Sequence, residues 1–207
     1  MKQAIRPSTP PPYPTHRPLH TNELKDIYRL HGDERGRGIN ALRTIVIVYD
    51  SKTGNTANMA TAVAAGARAV VGTRVTVKTV EETALADLHA ADGLILGSPT
   101  YYGEMSAKLK ALIDRSVDLH GKLEGKVGAA FTSSGGVASG AETTLLSILQ
   151  TMLIHGMIIQ GRSRSGHYGA AAVGAPNQAE QQSCHDLGER TARLVAQLHE
   201  SATSHAP

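Results

Sequence analysis

Six consecutive residues, Ser51, Lys52, Thr53, Gly54, Asn55 and Thr56, gather three hydroxyls, an amide and one glycine between an apolar run (residues 44–49) and an amphipathic one. Met59, Val63, Ala67 and Val70 recur at helical spacing after them, so the loop joins a strand to the start of a helix. A helix N-terminus carries unpaired N–H groups and the positive end of a dipole. With side-chain donors added, this is an anion nest suited to a terminal phosphate. The loop lacks the Lys-Ser/Thr ending of a nucleotide P-loop and the spacing of a G-x-G-x-x-G turn.

Three more segments carry unusual chemistry. Ser98-Pro99-Thr100-Tyr101-Tyr102-Gly103-Glu104-Met105-Ser106 holds a rigid proline, two adjacent aromatics and a glycine that lets backbone approach a ligand. Thr132-Ser133-Ser134-Gly135-Gly136 is small and polar, with backbone donors to offer. Gly161 to Ala170 contains Arg162, Arg164, His167 and Tyr168. The chain has one Phe, no Trp and six Tyr, so a ring stacked on a ligand is Tyr or His. Together these segments suit a flat heteroaromatic with a phosphate tail. His155 ends a predicted helix before Gly156, where the dipole alone favours a histidine.

The elements that must position these segments alternate. Strands are predicted over 44–49, 74–80, 93–97, 126–132 and 157–160. Helices are predicted from about 56, over 84–90, over 106–117, from Ser139 to His155 with Ser139 and Glu142 as a capping box, and from Asn177 and Glu180 to about His199. Five strands alternating with helices imply an α/β, doubly wound parallel sheet, with ligands outside the carboxyl ends of the strands. All four loops singled out fall at those ends in this reading. Residues 42–202 form the predicted domain. Residues 1–41 precede it; six of the nine prolines lie within 1–20, a composition that favours extended or disordered chain, and 22–31 offers a short helix.

The net charge of +3 sits in that tail: residues 1–42 hold seven Lys/Arg against four Asp/Glu, and residues 43–207 hold fourteen of each. No basic stripe with interleaved aromatics points to nucleic acid. A single cysteine, Cys184, excludes an internal disulfide and fits a cytoplasmic protein. No signal peptide and no apolar run long enough to span a membrane is visible, and no metal site is expected.

The loop Ser51–Thr56 resembles the FMN-phosphate loop of the flavodoxin superfamily. Ser98-Pro-Thr-Tyr-Tyr-Gly-Glu-Met-Ser106 with Lys108, Leu112 and Asp114 resembles the second FMN loop of the WrbA-type NAD(P)H:quinone oxidoreductases. So do Ser133-Ser-Gly-Gly136, Glu142-Thr-Thr144 and His155-Gly-Met157, and His167-Tyr-Gly-Ala170 resembles that family's Pro-Tyr-Gly-Ala segment. The resemblance covers residues 44 to about 200. It implies a flavodoxin-like sheet of order 2-1-3-4-5 and FMN as cofactor. Ser51, Lys52, Thr53, Gly54, Asn55 and Thr56 would hold the phosphate and ribityl chain. Pro99, Thr100, Tyr101, Tyr102 and Gly103 would meet the ring, and Ser133, Ser134, Gly135 and Gly136 its pyrimidine side. His155 would be catalytic, and Tyr102, His155 and Tyr168 would meet substrate. The implied reaction passes a hydride from NAD(P)H through FMN to a quinone. The alternatives are a flavodoxin-type electron carrier and a flavin reductase supplying a partner. A homodimer or homotetramer is implied, although the family's long insertion before the Pro-Tyr-Gly-Ala segment is absent here. The family's active-site Trp has no counterpart; His120 falls nearest to it.

Overall fold

A computed structural model describes residues 42–204, with side chains to residue 200. The proline-rich segment 1–41 and its predicted helix lie outside the described residues.

The strands are β1 (Arg43–Tyr49), β2 (Thr73–Thr79), β3 (Gly93–Tyr101), β4 (Glu104–Met105), β5 (Val127–Ser134), β6 (Ile158–Ile159) and β7 (Ala170–Val173). The helices are α1 (Asn55–Arg68), α2 (Leu85–Ala90), α3 (Ala107–Arg115), α4 (Ala141–Ile154) and α5 (Gln178–Ser204), with a 3-10 turn at Ser116–Leu119. The main sheet runs β2-β1-β3-β5-β6, all parallel. Counted by the five predicted strands, this is the order 2-1-3-4-5.

Period-two alternation divides the core. Val46, Val48, Leu94 and Leu96 face α2, α3 and α4, packing on Leu88, Leu109, Leu112, Leu145, Ile148 and Met152. Ile45, Ile47, Ile95 and Phe131 face α1 and α5, packing on Met59, Val63, Cys184, Leu187 and Val195. On that second face two glycines let α1 and α5 meet backbone to backbone. A Cβ at Gly66 would stand 1.9 Å from the His185 carbonyl oxygen, and one at Gly188 would stand 1.9 Å from the Val63 carbonyl oxygen. Gly97 serves the ring of Phe131 in the same way: a Cβ there would be 2.1 Å from Cζ. Among the described residues no helix is long and apolar enough to cross a membrane.

Three elements differ from the sequence expectations. The fifth strand is split: β6 pairs with the start of β5, Val127–Gly128, and β7 pairs with its end, Phe131–Ser134. Ala170-Ala-Ala-Val173 is three-quarters alanine, a residue depleted in strands, so tertiary pairing makes it one. Residues 160–169 are therefore an excursion inside that strand, and the expected loop 161–170 does not follow it. Second, β3 continues through Ser98–Tyr101 and turns into a hairpin with β4. Pro99 is tolerated because β1 has already ended on that side; the last bond there runs from Asp50 N to the Gly97 carbonyl. Third, α4 is capped by Gly140 and not by a Ser139–Glu142 box; the Ser139 hydroxyl donates to the Gly136 carbonyl instead. The Asn177–Glu180 box at α5 is real. Glu180 N donates to Asn177 Oδ1 at 3.0 Å, and Asn177 N donates to Glu180 Oε2 at 2.7 Å.

Candidate functional site

The nest forms because β1 ends at Tyr49 and α1 begins at Asn55. Gly54 is the N-cap with a left-handed backbone (φ 89°), which glycine adopts without penalty, and no side chain caps its helix. The first-turn N–H of Ala57 is taken by Ser51 Oγ at 3.2 Å, and that of Asn58 by the Gly54 carbonyl at 2.9 Å. No hydrogen bond among the described residues engages the N–H groups of Thr53, Gly54, Asn55 and Thr56. Four donors at the positive end of a helix are thus unpaired, with Lys52 and Thr53 exposed beside them.

The Thr56 side chain does not point into this nest. It is buried, and its hydroxyl pairs with that of Ser133 at 2.8 Å, which fastens the first loop to the end of β5. A second hydroxyl pair, Thr100 with Thr132 at 2.9 Å, fastens β3 to β5, and Thr132 Oγ1 donates to the Ser98 carbonyl at 2.7 Å. Ser98 Oγ in turn accepts from Ser106 N at 2.8 Å, closing the hairpin over the start of α3. Residues 51–56, 98–106 and 132–136 therefore converge at the carboxyl edge of the sheet. Positions Gly54, Gly135 and Gly136 leave open space above it: a Cβ at any of them would meet nothing within 4 Å.

The hairpin tip is unusual. Tyr102 (φ 51°) and Gly103 (φ 81°) both have positive φ, as a two-residue type I′ turn requires. Tyrosine is a poor choice for that geometry, and its ring is fully exposed, with relative exposure of 108%. The turn is clamped from α4: Thr143 Oγ1 donates to the Gly103 carbonyl at 2.6 Å, and a Cβ on Gly140 would lie 2.5 Å from Gly103 Cα. Tyr101 and Val137 are exposed as well.

Asp50, next to the nest, escaped sequence reasoning. It is buried, with a carboxylate oxygen 3.9 Å from Lys108 Nζ, and the same ammonium bonds Glu81 at 2.5 Å. The Glu81 hydrogen bond first, and attraction to Glu81 and then Asp50 after it, hold Lys108 above its ordinary pKa. The alternation of β1, which puts Val46 and Val48 on the α3 side, was the available signal for where Asp50 points.

His155 is not brought to this edge. It follows the last residue of α4, and its neighbour Gly156 accepts from Gly125 N at the opposite edge, where β5 begins. Parallel strands force the outcome: each crossover helix returns to the amino edge, so a helix C-terminus cannot lie beside loops at the carboxyl edge. His155 Nε2 pairs with Ser116 Oγ at 2.8 Å, and Nδ1 is buried without a partner beside a cavity of about 20 Å³. Burial, then repulsion from His120, pushes its pKa below the usual range. Tyr168 and His167 lie apart from the hairpin, across the first turn of α4, in a separate cleft. Arg162 is committed to Asp186 at 3.0 Å.

A free-donor nest, two hydroxyl clamps and an aromatic hairpin over a glycine-lined floor fit a phosphorylated, planar ring system. Comparison with known proteins agrees. The family model for NADPH-dependent FMN reductase matches residues 44–169. A flavodoxin from Aquifex aeolicus is 41% identical over 160 residues, covering 73% of this chain and 86% of its own length. An NAD(P)H dehydrogenase (quinone) from Archaeoglobus fulgidus is 38% identical over 188 residues, covering 74% of this chain and 98% of its own. Among solved structures, the flavodoxin, WrbA-like protein from Agrobacterium tumefaciens superposes with a TM-score of 0.66 at 29% identity, over 75% of this chain and 98% of that one. The chain belongs to the NADPH-dependent FMN reductase family, within the WrbA-type flavoproteins of the flavodoxin superfamily, with FMN as cofactor and NAD(P)H as reductant.

Proposed function

We propose that this protein is an NAD(P)H:quinone oxidoreductase, in which NAD(P)H + H⁺ + quinone give NAD(P)⁺ + hydroquinone. The observation that carries the reading is the convergence of three loops, tied by the Thr56–Ser133 and Thr100–Thr132 hydroxyl pairs, beneath an exposed aromatic hairpin. FMN, when bound, supplies the two-electron redox chemistry. Ser51 to Thr56 hold its phosphate through the free N–H groups of residues 53–56. The backbone and two rings of Pro99 to Gly103 and the main-chain donors of Ser133 to Gly136 would meet its flat portion. Tyr102, fully exposed at the hairpin tip, offers a ring face on which a second planar molecule would stack. Within one chain His155 lies at the far edge of the sheet, so the acceptor's proton comes from solvent or from a tyrosine hydroxyl of the hairpin.

An electron carrier without a small-molecule acceptor is the second reading, favoured by similarity to the Aquifex flavodoxin. Charge argues against it: residues 43–207 hold fourteen basic and fourteen acidic residues, whereas a carrier that docks basic partners gains from an acidic face. We further propose a homodimer or homotetramer in the cytoplasm, in which a neighbouring subunit walls the rim at Tyr101, Tyr102 and Val137. The test is steady-state oxidation of NADH and NADPH with and without a benzoquinone. Quinone-dependent turnover with parallel double-reciprocal lines is expected. A rate no faster with quinone than with dissolved oxygen alone would remove the quinone assignment.

A further inference from the structure

We propose that the cleft between the excursion 160–169 and the starts of α4 and α5 binds the adenosine half of NAD(P)H. The proposal rests on the reading that NAD(P)H is the reductant and names the part of the molecule that the flavin loops do not reach.

The cleft measures about 370 Å³, within the range of small-ligand sites. Leu145 and Ala179 give it an apolar floor, Tyr168 supplies a half-exposed ring, and Ser165 and Ser183 add hydroxyls. Its most specific feature is main chain. β7 pairs only with β5, so one side of it is a free edge. Gly174 N and the Ala172 carbonyl are engaged by Ser134, so residues 170, 172 and 174 address β5. Alternation then turns the N–H and C=O of Ala171 and Val173 outward. The Val173 N–H is taken by Glu180 Oε1 at 3.2 Å. The Ala171 N–H and C=O have no partner among the described residues, and Ala171 lines the cleft. An adjacent donor and acceptor beside a tyrosine ring complement a flat base that carries an amino donor next to a ring-nitrogen acceptor. Adenine has that pattern.

The cleft also lies at the right remove. The first turn of α4 separates it from the hairpin: Thr143 clamps Gly103 on one side, and Leu145 lines the cleft on the other. One helix diameter is about 10 Å, and an extended dinucleotide holds its two bases farther apart than that.

The experiment uses the FMN-loaded full chain. ADP-ribose, which lacks the reactive nicotinamide, is titrated by calorimetry and by amide NMR, and flavin bleaching is timed with NADH, NADPH and reduced nicotinamide mononucleotide, which lacks adenosine. ADP-ribose is expected to shift the amides of Tyr168, Ala171 and Ser183. Ala171→Pro removes one outward N–H at an edge position that accepts proline. It is expected to weaken ADP-ribose about ten-fold and to slow bleaching by NAD(P)H about ten-fold relative to the mononucleotide. Tyr168→Ala, which leaves the backbone unchanged, is expected to weaken ADP-ribose similarly. Shifts elsewhere, absent binding, or equal slowing of both reductants by Ala171→Pro would overturn the proposal. If no nicotinamide bleaches the wild-type flavin, the reductase reading fails, and ADP-ribose binding still decides the cleft.

Discussion

Tyr102 holds a large ring on a left-handed backbone, which costs an ordinary residue about 1–2 kcal/mol. Strain of this kind collects at functional sites, where surrounding structure holds it in place, here through Thr143 and Gly140 on α4. Tyr102→Gly is expected to raise stability by up to about 1 kcal/mol in thermal melts and to slow flavin reduction by NAD(P)H; a lower melting temperature would deny the strain. Thr56→Val leaves Ser133 Oγ buried without its partner, and about 1–3 kcal/mol of stability should go, together with FMN affinity. His155 makes a pH prediction. Its folded pKa lies below the unfolded 6.5, so the unfolded chain binds the extra proton first. Its contribution is fully present above pH 6.5 and is lost as pH falls from there towards the folded pKa. His155→Gln should flatten that part of a stability–pH profile while leaving quinone turnover unchanged; a large fall in turnover would return His155 to the chemistry.

Most elements were legible because their signals are local. The apolar run of residues 44–49, the apolar run Leu94-Ile-Leu96 and the Asn177–Glu180 box each appear in a few residues, and the structure agrees with them. What escaped was settled at long range. β7 is a strand because Phe131–Ser134 needed an edge partner. Thr56 faces Ser133 seventy-seven residues away and not the nest beside it. The misplacement of His155 has another origin: sequence position before Gly156 fixes the helix end but not the edge of the sheet, which the parallel topology alone supplies. At this scale the crossing of α1 and α5 is the sensitive point. Gly188→Ala would drive a Cβ onto the Val63 carbonyl, and an overpacking cost of about 1–3 kcal/mol or a failure to fold is expected in denaturant melts. Because α1 carries the nest at its other end, FMN affinity should fall with it.

Across the molecule, residues 42–204 contain both core faces and all three converging loops. A chain beginning at Leu42 is therefore expected to fold and to bind FMN as tightly as the full chain; loss of flavin would give residues 1–41 a part in the site. The proposed oligomer is checked by sedimentation, with a monomer as the contrary result. The central claim is that a phosphate-anchored flavin at the carboxyl edge of this sheet takes electrons from a nicotinamide and gives them to a quinone. Its most direct test is to mix the FMN-loaded protein with stoichiometric NADH or NADPH without oxygen, follow the visible flavin band, and then add a benzoquinone. Rapid bleaching by at least one nicotinamide and full return of colour on adding quinone are predicted. A band that dithionite bleaches but neither nicotinamide touches would contradict the account and leave the protein an electron carrier.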